Sequence, residues 1–150
     1  MRRMLLLLLF LPLFIGCGPK TVIVTGTVTF LGEPGKDISV LFQPTTNAAT
    51  VPPAAMGMTD ASGFYRLGLA GENKKAGAMP GEYIVFFTWI DPNADPNPER
   101  EGYVPNPEPY KIPDKARFGR ITFTVPESGS VVADFHFTEE DLLEKIEQGF

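Results

Sequence analysis

At 150 residues the chain has room for one domain built around a single core. Its 18 acidic against 13 basic side chains, a net charge of −5, argue against nucleic acid and anionic lipid headgroups as partners. One cysteine and one histidine exclude an intrachain disulfide framework and the common zinc sites.

Residues 1–16 read as a secretory signal peptide. Arg2 and Arg3 form the positive head, Met4 to Ile15 an unbroken apolar run, and Gly16 the small residue before a cut. The run contains Pro12 and spans about twelve residues, short of the roughly twenty that cross ~30 Å of hydrocarbon, which sets aside a transmembrane helix. Arg2-Arg3 lacks the polar flank of a twin-arginine signal. Losing residues 1–16 removes two of the 13 basic side chains, leaving 134 residues with 11 basic and 18 acidic, a formal charge of −7.

Leu13-Phe14-Ile15-Gly16-Cys17 resembles the lipobox of bacterial lipoproteins, departing from it at Phe14, where that family usually has Leu. The resemblance implies cleavage between Gly16 and Cys17, a diacylglycerol on the Cys17 thiol and acylation, of the palmitate kind, on the new amine. The partner is then a membrane, held through lipid on Cys17. Two or three acyl chains hold durably where one is marginal. Gly18 rather than Asp after the cysteine resembles lipoproteins sent to an outer membrane rather than kept at the cytoplasmic one.

Residues 17–20 form a short tether, Gly18-Pro19-Lys20 spanning about 10–14 Å when extended. From Thr21 to Leu31 apolar and polar residues alternate: Val22, Val24, Val28 and Phe30 on one face, threonines on the other, a half-buried strand. Gly32-Glu33-Pro34-Gly35 is a turn, and Ile38–Gln43 the returning strand. After a loop from Pro44 to Pro53, Ala55–Thr59 and Phe64–Leu69 are expected to form a hairpin about Asp60-Ala61-Ser62-Gly63, with Tyr65, Leu67 and Leu69 on one side. A loop with Gly71, Lys74, Lys75 and Gly77 leads to Pro80-Gly81 and to Glu82–Ile90, apolar on both faces and so a central strand covered by a loop or by the C-terminal helix.

Residues 91–119 hold seven prolines and little periodicity, an excursion from the sheet. Arg120–Val125 and Val131–Phe137 are the closing strands, joined by a turn over Pro126–Ser130. Residues 138–150 read as a short helix: Thr138 caps it, Asp141 completes a capping box, Leu142, Leu143 and Ile146 make an apolar stripe suited to a packed lid, and Gly149 ends it.

Strand count and punctuation alone argue for a β-sandwich over 21–137. Val24-Thr25-Gly26-Thr27-Val28, Gly32-Glu33-Pro34, Val40-Leu41-Phe42, Thr59–Tyr65 and Pro80–Val85 occur in the order seen in the carboxypeptidase regulatory-like module, which the chain resembles most from 21 to 90. That resemblance implies an all-β, seven-stranded antiparallel Greek-key sandwich of the prealbumin (transthyretin) type, here with a short C-terminal helix, and brings no catalytic residues or cofactor. Asp60 is expected to bond turn backbone, Gly63 to take a positive φ, and Tyr83 to bury its ring while its hydroxyl reaches a loop.

Candidate sites are few. His136 should face solvent beside Asp134, with no nucleophile motif around it. Asp91, Asn93, Asp95 and Glu99 put oxygen ligands at spacings reminiscent of a calcium loop, but Pro96 stands where an EF-hand needs Gly and Gly102 where it needs Glu. Tyr103, Tyr110 and Phe118 could stack on sugar rings or peptide, or pin the excursion to its own domain. Lys111, Lys115, Arg117 and Arg120 form a local positive patch. The expectation is a non-enzymatic lipoprotein of the cell envelope displaying a structural or adhesive module. The alternatives are a carbohydrate- or cell-wall-binding protein using the 91–119 loop, with a glycan or envelope protein as partner, and an accessory component of an envelope hydrolase or transport system.

Overall fold

The computed structural model describes residues 20–45, 51–71 and 75–144. The expected signal peptide, Gly16, Cys17, most of the tether, Lys74 and the part of the expected C-terminal helix after Glu144 lie outside them. The described chain is all-β: ten strand segments in two sheets, with two short helices.

The first sheet is organised around β1 (Ile23–Phe30), whose alternation buries Val24, Val28 and Phe30 on one face. On one edge β1 pairs antiparallel with β5 (Phe64–Arg66) and then β2 (Glu33–Pro34); on the other it pairs with β9 (Ser130–Val132) and then β10 (Phe135–Phe137). Both of the latter pairings are parallel, so the sheet is not the purely antiparallel one expected. The second sheet runs β6 (Gly68–Leu69), β4 (Ala55–Met58), β3 (Ile38–Pro44), β7 (Gly81–Trp89), β8 (Ile121–Val125), antiparallel throughout.

Three local expectations are corrected. Glu33–Pro34, read as turn, folds back onto β1 through the two-residue turn Leu31-Gly32, both at positive φ (53° and 87°) as a type I′ hairpin requires. The next strand, β3, belongs to the opposite sheet. Phe64–Leu69 is not one arm of a hairpin with β4. It splits at Leu67, giving β5 to the first sheet and β6 to the second, so that Tyr65, Leu67 and Leu69 still point inward while the backbone changes partners. The closing strands likewise do not pair: β8 lies in the second sheet and β9 and β10 in the first, divided by Ala133-Asp134.

That division has a visible cause. Ala133 N–H donates to Thr25 O at 2.8 Å, but the next donor of β1, Thr27 N–H, goes to the Asp134 carboxylate at 2.8 Å, joined by the Thr27 hydroxyl at 2.9 Å. A side chain takes the place of a ladder carbonyl, and the parallel pairing resumes at Val28–Phe135. Backbones approach closely here: a Cβ at Gly26 would lie 1.9 Å from Ala133 O. The same carbonyl accepts the buried Tyr65 hydroxyl at 2.6 Å. Burial pushes the Tyr65 phenol well above its ordinary range, so it stays a donor.

The inner faces meet through aromatic rings. Phe87 of β7 stands edge-on to Phe135 and Phe137 of β10 at 4.9 and 5.2 Å, and Phe42 of β3, stacked on Phe123 within its own sheet at 5.5 Å, stands edge-on to Phe135 at 6.4 Å. Tyr83 is buried with its hydroxyl on Met79 O at 2.9 Å, and Asp60 Oδ1 accepts the Ser62 and Phe64 N–H groups in the turn that Gly63 closes at φ 78°.

The outer face of β7 is covered by the end of the excursion. Helix α1 (Asp114–Arg117) packs there, burying Ile112 and Ala116. Gly119, at φ 67°, stops it with Arg120 N–H on Lys115 O, and so close to Phe86 that a Cβ would lie 2.5 Å from that ring. Helix α2 (Glu139–Leu143) has the expected capping acid, Asp141 Oδ2 accepting from Thr138 N–H at 2.7 Å. It is no packed lid over its described length: none of its residues is buried, Leu143 is 72% exposed, and Glu144 is already extended.

The pinch at Gly26 yields a test. Tyr65→Phe should cost about 1–3 kcal/mol in urea unfolding, the range for stranding a buried acceptor. Gly26→Ala should cost more, because backbone must move to admit the methyl group. A neutral Gly26→Ala would contradict the close approach.

Candidate functional site

The chemistry-bearing residues of the excursion gather where β7 ends. Trp89 is the last residue of that strand, and the chain turns at once: Asp91 Oδ1 accepts Asn93 N–H at 2.8 Å. Fifteen residues later Asn106 returns to donate its amide Nδ2 to Asp91 Oδ2 at 2.7 Å, tying the excursion's two limbs together. Tyr110 then stacks on Phe30 at 5.1 Å, and its hydroxyl accepts Lys36 N–H at 2.9 Å.

These side chains wall an open cleft of about 530 Å³ with Trp89 and Tyr110 as its aromatic surfaces, Pro92, Pro107 and Pro109 as stiff walls, and Asp91, Asn93 and Asn106 as polar groups. A second concavity of about 310 Å³ adjoins it, sharing Asn93 and Asn106 and lined further on by Tyr103 and Val104. The volumes are those of small-molecule sites.

Of the three aromatic candidates, then, Tyr110 and Tyr103 fall in adjacent clefts, and Phe118 in neither. Phe118 comes directly after α1 and is 51% exposed. Tyr110 has a fastening role as well, since both its ring and its hydroxyl are committed to the β1 and β3 side of the domain. Sequence reasoning missed Trp89, because its register placed it with the core-facing Tyr83, Val85 and Phe87. It does pack against the core, but at the strand's last position it is only half-buried and also lines the cleft. The signal available was its place as the chain's single tryptophan directly before a Pro-rich excursion.

The four calcium candidates are not assembled around a common centre. Asp91 is engaged as above, while Asp95 accepts Asn97 N–H at 2.8 Å with one oxygen and meets Arg100 Nε at 2.8 Å with the other. Asp and Asn here stabilise turns. Glu99 stands in a separate exposed turn, and among the described residues no group of three or more His, Cys, Asp or Glu side chains is placed to hold a metal.

Two of the four residues of the positive patch are paired with carboxylates. Lys115 bridges Asp141 and Glu144, at 2.5 and 3.2 Å, and Arg117 grips both oxygens of Glu108. The Lys115 hydrogen bond, and after it Thr138 N–H, holds the Asp141 carboxyl below its usual range; Arg117 does the same for Glu108. His136 is exposed on β10, its Nδ1 2.8 Å from Thr29 Oγ1, while Asp134 turns instead to Thr27.

No family model, curated protein or solved structure matches this chain.

With Asp91 and Asp95 committed to turns, EDTA should leave the melting temperature unchanged, and a fall of several degrees that calcium reverses would overturn the assignment. Asp141, depressed when folded, contributes stability above the unfolded carboxylate value near ~3.9 and loses it as pH falls through the lower folded value. Stability should therefore drop less steeply below about pH 4 in Asp141→Asn than in the unsubstituted protein; parallel acid curves would contradict the pairing.

Proposed function

We propose that this chain is a bacterial envelope lipoprotein, a non-enzymatic β-sandwich module of the prealbumin-like, carboxypeptidase regulatory-like kind, held to an outer membrane by acyl chains on Cys17. The observation that carries the reading is the run from Arg2-Arg3 through the apolar segment to Ile15-Gly16-Cys17. Several features support it. The one cysteine stands at the lipobox position, so the thiol has no disulfide partner in the chain. The acidic domain gains little from anionic headgroups, which leaves attachment to the lipid. Lys20 is exposed, and β1 starts three residues later, so the domain rides close to the bilayer on a tether of a few residues.

The reading as a display module rather than a catalyst draws on the histidine and aspartates. His136 and Asp134 are each hydrogen-bonded to a threonine of β1 rather than to one another, and the aspartates of the excursion hold turns. The Gly26 approach, the Asp60–Gly63 turn and the Pro80-Gly81 corner before β7 give the sandwich motifs mechanical roles.

Metabolic labelling with a clickable fatty-acid analogue, combined with membrane fractionation, tests this. The unsubstituted protein should carry label and sediment with membranes, and Cys17→Ala should lose both. Label or membrane association surviving in Cys17→Ala would overturn the proposal.

A further inference from the structure

We propose that the twin cleft over the excursion is a binding site for a neutral oligosaccharide, presented at the end of the domain facing away from the membrane. The orientation rests on the lipid-anchor reading; the ligand class does not.

Position comes from β1. The strand enters next to the tether at Ile23 and ends at Phe30, whose ring stacks on Tyr110 in the cleft wall. Seven steps of extended chain separate those ends by about 23 Å. β3 and β7 agree: Ile38 pairs with Trp89 at the cleft end, and Pro44 with Tyr83 at the other. The described end of the tether, at Lys20, and the cleft therefore lie at opposite ends of the first strand.

Ligand class comes from the lining. A pyranose ring has an apolar face of C–H groups and an equator of hydroxyls, so it needs aromatic surface and planar hydrogen-bonding groups side by side. Trp89 and Tyr110 supply the first. Asn93 and Asn106 supply the second: Asn106 gives Nδ2 to Asp91, which fixes the amide plane and leaves its Oδ1 as an acceptor, and the Asn93 side chain stands on the ridge between the concavities. Lys36 Nζ lies 3.6 Å from Asp37 Oδ2, and the Asp91 carboxylate, which repels an anion, has both oxygens already engaged by neutral N–H donors. A neutral polar ligand suits that balance better than an anion or a cation.

Length comes from the second concavity. Tyr103 lines it, beyond the shared asparagines, so one aromatic group stands on each side of the amide ridge. That arrangement takes a chain of linked rings rather than one sugar. Three prolines and the fastened Tyr110 hold the first wall before a ligand arrives, which lowers the ordering cost of binding.

The single tryptophan makes the test direct, because all tryptophan emission reports on this cleft. The full chain in detergent micelles is titrated with cellotetraose, maltotetraose and tetra-N-acetylchitotetraose, with decaproline as a peptide control. The expected result is a saturable change in Trp89 emission with at least one tetrasaccharide and none with decaproline. Asn93→Ala and Asn106→Ala should each weaken it at least tenfold, while Phe118→Ala, outside the cleft, should bind as the parent does. Tyr103→Ala should weaken the tetrasaccharide more than the disaccharide of the same series. No saturable response to any of the three sugars, a response to decaproline alone, or undiminished binding in both folded asparagine variants would each overturn the proposal. Unsubstituted protein that binds sugar but never sediments with membranes, or Cys17→Ala protein that binds sugar and still does, would refute the anchor and leave the cleft standing.

Discussion

The structure depends on the close approach of β1 to the Ala133-Asp134 corner. β1 has four strand partners, and the point where one edge hands over from β9 to β10 is where Gly26, lacking a side chain, lets Ala133 O come near. Three donors converge on that corner: Tyr65 hydroxyl on the Ala133 carbonyl, and Thr27 N–H and hydroxyl on the Asp134 carboxylate. The break in the ladder is thus satisfied rather than left open, as a buried backbone demands.

The handover also shapes the contact with the other sheet. Resuming at Phe135, β10 places Phe135 and Phe137 against Phe87, and Phe137 against Phe30, whose ring carries Tyr110. A continuous aromatic path runs from the centre of the core to the wall of the cleft. The excursion is fastened at two more places, the Asp91–Asn106 bond and the docking of Ile112 and Ala116, which is how a Pro-rich segment without sheet pairing keeps a shaped surface.

Periodicity told most of the strands. β1, β3 and β7 carry alternation or apolar runs long enough to read, and Asp60, Gly63 and Tyr83 behave as turn and corner chemistry dictates. Partner choice was hidden, because a strand's period says which residues point inward but not which neighbour its backbone meets. Phe64–Leu69 keeps one inward face while serving two sheets, and Val131–Phe137 reads as one strand while being cut by a carboxylate. Helix α1 escaped notice at four residues, too short for a periodic signal, though Pro113 before it and Gly119 after it mark its ends. The cleft was half legible: Tyr103 and Tyr110 stood out as aromatics in a polar loop, whereas Trp89 and the Asp91–Asn106 tie emerge only when the excursion's limbs are brought together.

The proposed export, anchoring and presentation all turn on the chemistry of one residue, which the N-terminus of the cellular protein would record. Intact and proteolytic mass spectrometry of the protein extracted from bacterial membranes reads that residue directly. The account predicts a chain beginning at Cys17 that carries a diacylglyceryl group on sulfur and a further acyl group on nitrogen. A chain that retains Met1, or one that begins elsewhere with Cys17 unmodified, would contradict it.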